Sequence, residues 1–247
     1  MKRRSLLSAF PLALALVVSP ALAKGAKPVV AAPAPALSAV VDMDPARDPD
    51  DVLLLDLSNG GRVAIRLMPK WAPGHVERIK TLARQGFYNG IIFHRVIEGF
   101  MAQTGDPTGT GQGGSPLPDL KAEFNAMPHV RGTVSMARTN EPDTANSQFF
   151  IVFYPRFALD RNYTNFGRVI AGMQYVDAIE RGEPPARPTK ILQASLASEN
   201  KPQVLPAPEA PPPSLTAPAP APAPSLAPAP VKPAVKAPVK AKARPKG

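Results

Sequence analysis

Between Phe93 and Asp106 the chain reads FHRVIEGFMAQTGD. A guanidinium (Arg95), a carboxamide (Gln103), a thioether (Met101) and two phenylalanine rings thus fall within one short apolar stretch. The stretch has no cysteine and no lysine, and its one hydroxyl is Thr104. A guanidinium stays charged and carries several N–H donors in a rigid fork. Such a set suits chemistry that needs a cation, an amide and an apolar wall but no nucleophile. A second stretch, SMARTNEPDTANSQFFIVF (residues 135–153), adds Gln148 and Phe150. In a strand over 100–104, alternation puts Met101 and Gln103 on one face and Phe100 with Ala102 on the other, and Gln148 and Phe150 share a face likewise. An arginine at the end of a preceding strand can reach over these side chains.

Other chemistries are poorly supplied. The chain has no cysteine, which removes thiol nucleophiles and thiolate metal sites, and its histidines are His75, His94 and His129. No two of them stand at i, i+4 with a carboxylate between, so no metal site is expected. His94, inside a strand motif, reads as a satisfied structural histidine. Composition does not exclude a Ser/His/Asp triad, but there is no G-x-S-x-G elbow, and Ser147 lies in a polar turn. Gly109–Gly114 matches G-x-G-x-x-G, yet Pro116 and Pro118 prevent the helix that a dinucleotide site needs behind it. There is no Walker lysine either. The segment reads as a surface loop edging a groove, and no cofactor is expected.

The elements that must position these residues are short. Val52–Leu57 and Arg62–Leu67 are apolar-rich runs joined by Ser58-Asn59-Gly60-Gly61, a hairpin signal with glycines where positive φ is wanted. In APGHVERIKTLARQGF (72–87), Val76, Ile79, Leu82 and Ala83 share a face, with proline near the start and Gly86 near the end, which predicts a helix. Further strands are expected over 91–96, 100–104, 133–137, 148–153, 165–170 and 190–197, with a second helix over 173–181. Eight short strands and two helices suggest a mainly β fold, a closed eight-stranded antiparallel barrel capped by the helices, because closure removes exposed sheet edges. The segment 107–130 has little periodicity and reads as a long functional or surface-packed loop.

The ends differ in kind. Lys2-Arg3-Arg4, an apolar run from Leu6 to Val18 and Ala21-Leu22-Ala23 predict a cleaved export signal over 1–23, with Lys24 as the new N-terminus. Arg3-Arg4-Ser5-Leu6-Leu7 also resembles a twin-arginine signal. The run is too short, and too interrupted by proline, for a membrane anchor, so a periplasmic or secreted protein is expected. Pro/Ala-rich sequence follows over 24–48 and again over 201–247, with too little apolar bulk to offset ordering entropy; extended polyproline-type segments are expected. The formal charge of +10 belongs to these ends, and the middle is close to neutral. This is not the footprint of a specific nucleic-acid binder, although the basic tail can touch anionic surfaces nonspecifically. One domain over 49–200, working as a monomer, is the expectation.

FHRVIEGFMAQTGD, followed by SQFFI and then NFGRV, closely resembles the cyclophilin family of peptidyl-prolyl cis-trans isomerases, from about Leu54 to Leu196. The resemblance implies an eight-stranded barrel with two helices, no cofactor, and proline-containing unfolded chains or peptides as substrates. It implies that Arg95 is the catalytic arginine, that Phe100, Met101 and Phe150 form the proline pocket, and that Gln103 and Gln148 support it. Ala137 and Leu159 match groove positions, and Gly109 matches across a shortened loop. Arg138 and Tyr163 stand where eukaryotic members have asparagine and histidine, and resemble the bacterial branch. Phe157-Ala158 replaces the groove tryptophan, so the resemblance does not extend to strong cyclosporin binding. The rival expectation is a cyclophilin-shaped holdase or scaffold with incidental catalysis.

Overall fold

The computed structural model describes residues 37–207. The expected export signal and most of both Pro/Ala-rich segments lie outside them. Strands β1 (Val52–Leu57) and β2 (Arg62–Leu67) form the expected hairpin, pairing Leu53 with Ile65 and Leu55 with Val63. Its turn uses the two glycines differently. Gly60 takes φ 87°, whereas Gly61 is small because Tyr175 lies against it: a Cβ there would sit 2.0 Å from the ring. Helix α1 (Pro73–Arg84) buries Val76, Ile79, Leu82 and Ala83. No side chain of its own N-cap residue, Ala72, caps it. The distant Glu123 carboxylate does so, accepting from Gly74 N at 3.0 Å and His75 N at 3.1 Å, where an anion also meets the positive end of the helix dipole.

The remaining elements are β3 (Arg95–Ile97), β4 (Met101–Thr104), β5 (Thr133–Met136), β6 (Phe149–Val152), β7 (Asn165–Ala171), α2 (Met173–Asp177) and β8 (Ile191–Leu196). All pairings are antiparallel, in the order β3-β4-β6-β5-β7-β2-β1-β8. Helix α1 packs on β8 and α2 on β2. Inside, Tyr88, Phe149 and Phe166 meet edge to face, with centroids 5.6 and 6.2 Å apart. Strand β6 is buried on both faces. Phe149 and Ile151 join this main core, while Phe150 and Val152 join a second cluster with Met101 on the opposite side. Period-2 geometry therefore turns the four apolar residues of β6 into part of two cores.

Closure of the barrel is less complete than expected. The sheet curls into a half-barrel, and its outer strands β3 and β8 share no ladder. The seam is bridged singly, through Gly90 N to Ile191 O (2.7 Å), Phe93 N to Thr189 O (2.9 Å) and Ile191 N to Ile91 O (2.9 Å). The physical reason is competition for the edge of β3. Val96 donates to Gly182 O at 2.8 Å and accepts from Gly182 N at 2.9 Å, so another segment occupies the place where β8 would pair. The strand expected over 91–96 is consequently confined to 95–97. Helix α2 is also shorter than expected: the Arg181 guanidinium binds the carbonyls of Asp177 and Ile179, each at 2.5 Å, and so ends the helix with a side chain.

Ordered contacts run past both expected boundaries of the domain. Arg66, almost fully buried, donates to the carbonyls of Asp42 (3.2 Å), Asp44 (2.5 Å), Arg47 (2.7 Å) and Asp48 (3.2 Å). Trp71 Nε1 reaches Ser38 O at 3.0 Å. At the other end, buried Asp56 accepts from Val204 N at 2.8 Å and pairs with Arg62 at 2.6 Å. Among the described residues, the folded unit thus takes in at least Ser38 to Val204.

Candidate active site

The second cluster forms the floor of a groove. Met101, Phe150 and Val152 are buried in it, and Ile97, Phe100, Ala137, Leu159 and Tyr163 pack around them half-buried. Met101 and Phe150 come from neighbouring strands, since β4 pairs Met101 with Val152 and Gln103 with Phe150. Phe100 departs from the alternation argument, which sets it with Ala102. Strand β4 starts only at Met101, so Phe100 sits in the turn and joins the groove, as the family resemblance implies. Arg156 fixes it there, with its guanidinium 5.3 Å from the ring centroid and Nη2 bonded to Gly99 O at 2.8 Å. Such a cation over a ring is modestly favourable even when exposed.

At one lip stands Arg95, paired directly with Gln103 across β3 and β4. Among the described residues its guanidinium makes one hydrogen bond, from Nε to Glu183 Oε2 at 2.7 Å. Gln103 does not bind the guanidinium; its Nε2 donates to Gln148 Oε1 at 2.9 Å. Gln148 Nε2 in turn donates to Gly111 O (3.0 Å) and Gly113 O (2.8 Å). The two glutamines therefore tie the strands to the glycine loop, whose Gly109 lines the groove. That loop has an anion-binding shape already filled from within. Asp106 accepts from Thr108 N and Oγ1 (both 2.7 Å) and from Gly111 N (2.6 Å). Burial opposes its charge, but these bonds and one from Gly113 N outweigh it and hold the carboxyl down at about 2. A phosphate would find the donors occupied.

The opposite wall is Leu159, Tyr163 and Arg138. Arg138 lies over the Tyr163 ring at 4.7 Å and binds Asn162 O through Nη2 at 2.8 Å. Tyr163 meets Phe150 edge to face at 5.7 Å. Ala137 N donates to Gln148 O at 2.9 Å, which closes the groove floor between β5 and β6. Behind the wall, His129 Nδ1 meets Asp160 Oδ1 at 2.8 Å and its Nε2 meets Ser135 Oγ at 2.8 Å. This is a Ser/His/Asp chain in connectivity alone, because Ser135 and His129 are fully buried and no substrate reaches the hydroxyl. Its effect is to anchor the 157–163 segment that carries Leu159 and Tyr163.

All the residues singled out from the sequence meet here. Arg95, Phe100, Met101, Gln103, Gly109, Ala137, Arg138, Phe150, Leu159 and Tyr163 line one groove, and Gln148 lines the recess continuous with it. His94, also on the groove, differs from expectation: it is buried, and neither ring nitrogen has a partner among the described residues. Burial pushes its pKa down, Asp106 pulls it up and Arg95 pushes it down again, so the ring beside Arg95 is neutral. Glu183 and Pro184, which complete the lip, are the residues that sequence reasoning missed. Glu183 lies 88 residues from Arg95 in a Pro-rich turn, and no periodicity marks it.

The model of the cyclophilin-type peptidyl-prolyl cis-trans isomerases matches residues 53–196. A probable peptidyl-prolyl cis-trans isomerase of Brucella suis is 46% identical over 172 residues, which cover 63% of this chain and 87% of the relative. Peptidyl-prolyl cis-trans isomerase B of Bacillus subtilis is 42% identical over 129 residues, 51% of this chain and 89% of the relative. Among solved structures, a cyclophilin from Hirschia baltica superposes with a TM-score of 0.57 at 31% identity, over 62% of this chain and 76% of that one. A Cryptosporidium parvum cyclophilin-type isomerase, solved in the presence of the dipeptide Ala-Pro, gives 0.55 at 28% identity, over 59% and 98%. The groove, the fold and these likenesses agree, and the chain belongs to the cyclophilin-type peptidyl-prolyl cis-trans isomerases.

Proposed function

We propose that this isomerase turns X–Pro peptide bonds in exported proteins, with Arg95 as the donor to the proline nitrogen and Phe100, Met101 and Phe150 as the socket for the ring. Planarity of the amide is the obstacle, with a barrier of about 18–20 kcal/mol. At the twisted geometry the proline nitrogen regains a localised lone pair and accepts a hydrogen bond, whereas in the flat ground state it is a poor acceptor. A donor aimed at it stabilises the twisted state selectively, as catalysis requires. The observation that carries this reading is the Arg95 guanidinium at the lip of an apolar recess, bonded through Nε and leaving its Nη groups for a ligand.

Magnitudes divide the work. A gain of roughly 10⁵ in rate needs about 7 kcal/mol, and one charge-assisted hydrogen bond contributes about 1.5–3 kcal/mol. The socket must supply the rest by holding the ring while the preceding carbonyl swings. The Cryptosporidium relative solved in the presence of the dipeptide Ala-Pro supports proline-containing peptides as the substrate class. A near-neutral middle of the chain favours protein clients over nucleic acid. Export rests on the basic, apolar and A-x-A segments of residues 1–23. N-terminal sequencing of the mature protein should begin at Lys24, and an unprocessed chain retained in the cytoplasm would refute the export reading. For catalysis, Arg95→Ala should lower kcat/KM for an Ala-Pro peptide at least about tenfold with an unchanged circular dichroism spectrum. Wild-type turnover in that variant would remove Arg95 from the mechanism.

A further inference from the structure

We propose that Glu183 is a positioning residue for the isomerisation: by taking Nε of Arg95, its carboxylate sets the plane of the guanidinium and directs the Nη donors into the groove. The inference rests on the reading of Arg95 as the donor. Both side chains are partly open to solvent, at 42% and 52%, and an exposed ion pair contributes little to stability. Its effect is therefore on geometry. Strand β3 is three residues long and lies at the edge of the sheet. An arginine there, with four side-chain torsions and one face to water, populates many rotamers unless something holds it. Gln103, its cross-strand neighbour, is committed to Gln148, so the holding group is Glu183 at 2.7 Å.

The backbone is built to present that carboxylate. Gly182 exchanges both of its hydrogen bonds with Val96, the residue after Arg95, which places Glu183 beside the arginine. Only glycine fits this junction. It has φ 147°, and a Cβ would lie 2.6 Å from Pro185 Cα and 2.8 Å from Pro184 O. The same contact that keeps the barrel seam open thus delivers an acid to the catalytic lip. Contact through Nε is the useful one, because a carboxylate on the Nη pair would compete with the substrate for the same donors.

The test is a set of variants in the Ala-Pro peptide assay with the mature full-length protein. Glu183→Ala should lower kcat/KM roughly three- to tenfold, through kcat with KM little changed. Glu183→Gln, whose amide oxygen still accepts from Nε, should recover most of the loss. Because Glu183 acts through Arg95, adding Glu183→Ala to Arg95→Ala should cost nothing further. Undiminished or faster turnover in Glu183→Ala, failure of the glutamine to rescue, or an equal fractional loss in the Arg95→Ala background would each overturn the proposal. If Arg95→Ala itself turns over normally, it is the donor reading that fails; if only Glu183→Ala does, the donor reading stands without its positioning partner.

Discussion

At the scale of single residues, the groove distinguishes charge from shape. Arg95 and a lysine in its place carry the same charge, but lysine offers a point cation on a flexible stem and has no second set of donors for Glu183. Arg95→Lys should therefore lose at least about tenfold in kcat/KM with KM within about twofold, the signature of an interaction made in the twisted state. Near-normal kcat would mean that positive charge alone suffices. Phe150 is a different case, because it belongs to the proposed socket and also packs against Tyr163. Phe150→Ala should cost about 3–5 kcal/mol of stability and raise KM. A thermal melt and a Michaelis curve on the same sample separate the two effects.

At the scale of elements, the glycine loop shows how a motif shape can mislead. Residues 109–114 have the spacing of a phosphate cradle, but their N–H groups close on Asp106, and Gln148 holds the loop's carbonyls. The Asp106 carboxyl is held at about 2, below its ordinary 3.8. A depressed carboxyl stabilises the fold above its unfolded pKa, and that contribution is lost as pH falls through the folded value. Asp106→Asn should accordingly be less stable than wild type in denaturant melts at pH 7, and the gap should close between about pH 4 and pH 2. Asp50, Glu123 and Glu199 are also lowered and weaken both proteins alike in acid, so the difference between the two isolates Asp106. A constant gap down to pH 2 would show that the bonds do not depend on the charge.

At the scale of the whole molecule, the terminal segments among the described residues are fastened to β1, β2 and β8 through Arg66, Asp56 and Gln193, while the groove rests on β3 to β6, their loops and the turn at Glu183-Pro184. The proposed active groove and the terminal attachments are thereby separated. A chain ending at Pro206 should keep wild-type kcat/KM on short peptides. One ending at Lys201 loses the Asp56–Val204 and Gln193–Pro202 bonds and should melt lower at unchanged groove chemistry. Arg66→Ala leaves four backbone carbonyls without their donor and should cost at least about 2 kcal/mol, read as a fall in Tm of roughly 4–8 °C. An unchanged Tm would show that residues 42–48 are not fastened in solution.

Local features were legible in the residues themselves. The bounds of β1, β2 and α1 follow from turn glycines, an N-terminal proline and a repeat of 2 or 3.6, all of which act over a few residues. The sharing of one strand face by Met101 and Gln103, and of another by Gln148 and Phe150, follows from the same period. The resemblance of FHRVIEGFMAQTGD to known isomerases carried the socket and the arginine. Packing decided what no short window encodes: Glu123 capping α1 from 48 residues away, Gly182 displacing β8 from the edge of β3, and Glu183 meeting Arg95. These contacts join segments far apart in the chain through one or two hydrogen bonds each, and so few bonds leave no periodicity for a sequence to display. Which residues could do the chemistry was written along the chain, but which group meets the arginine was decided only when the chain folded back on itself.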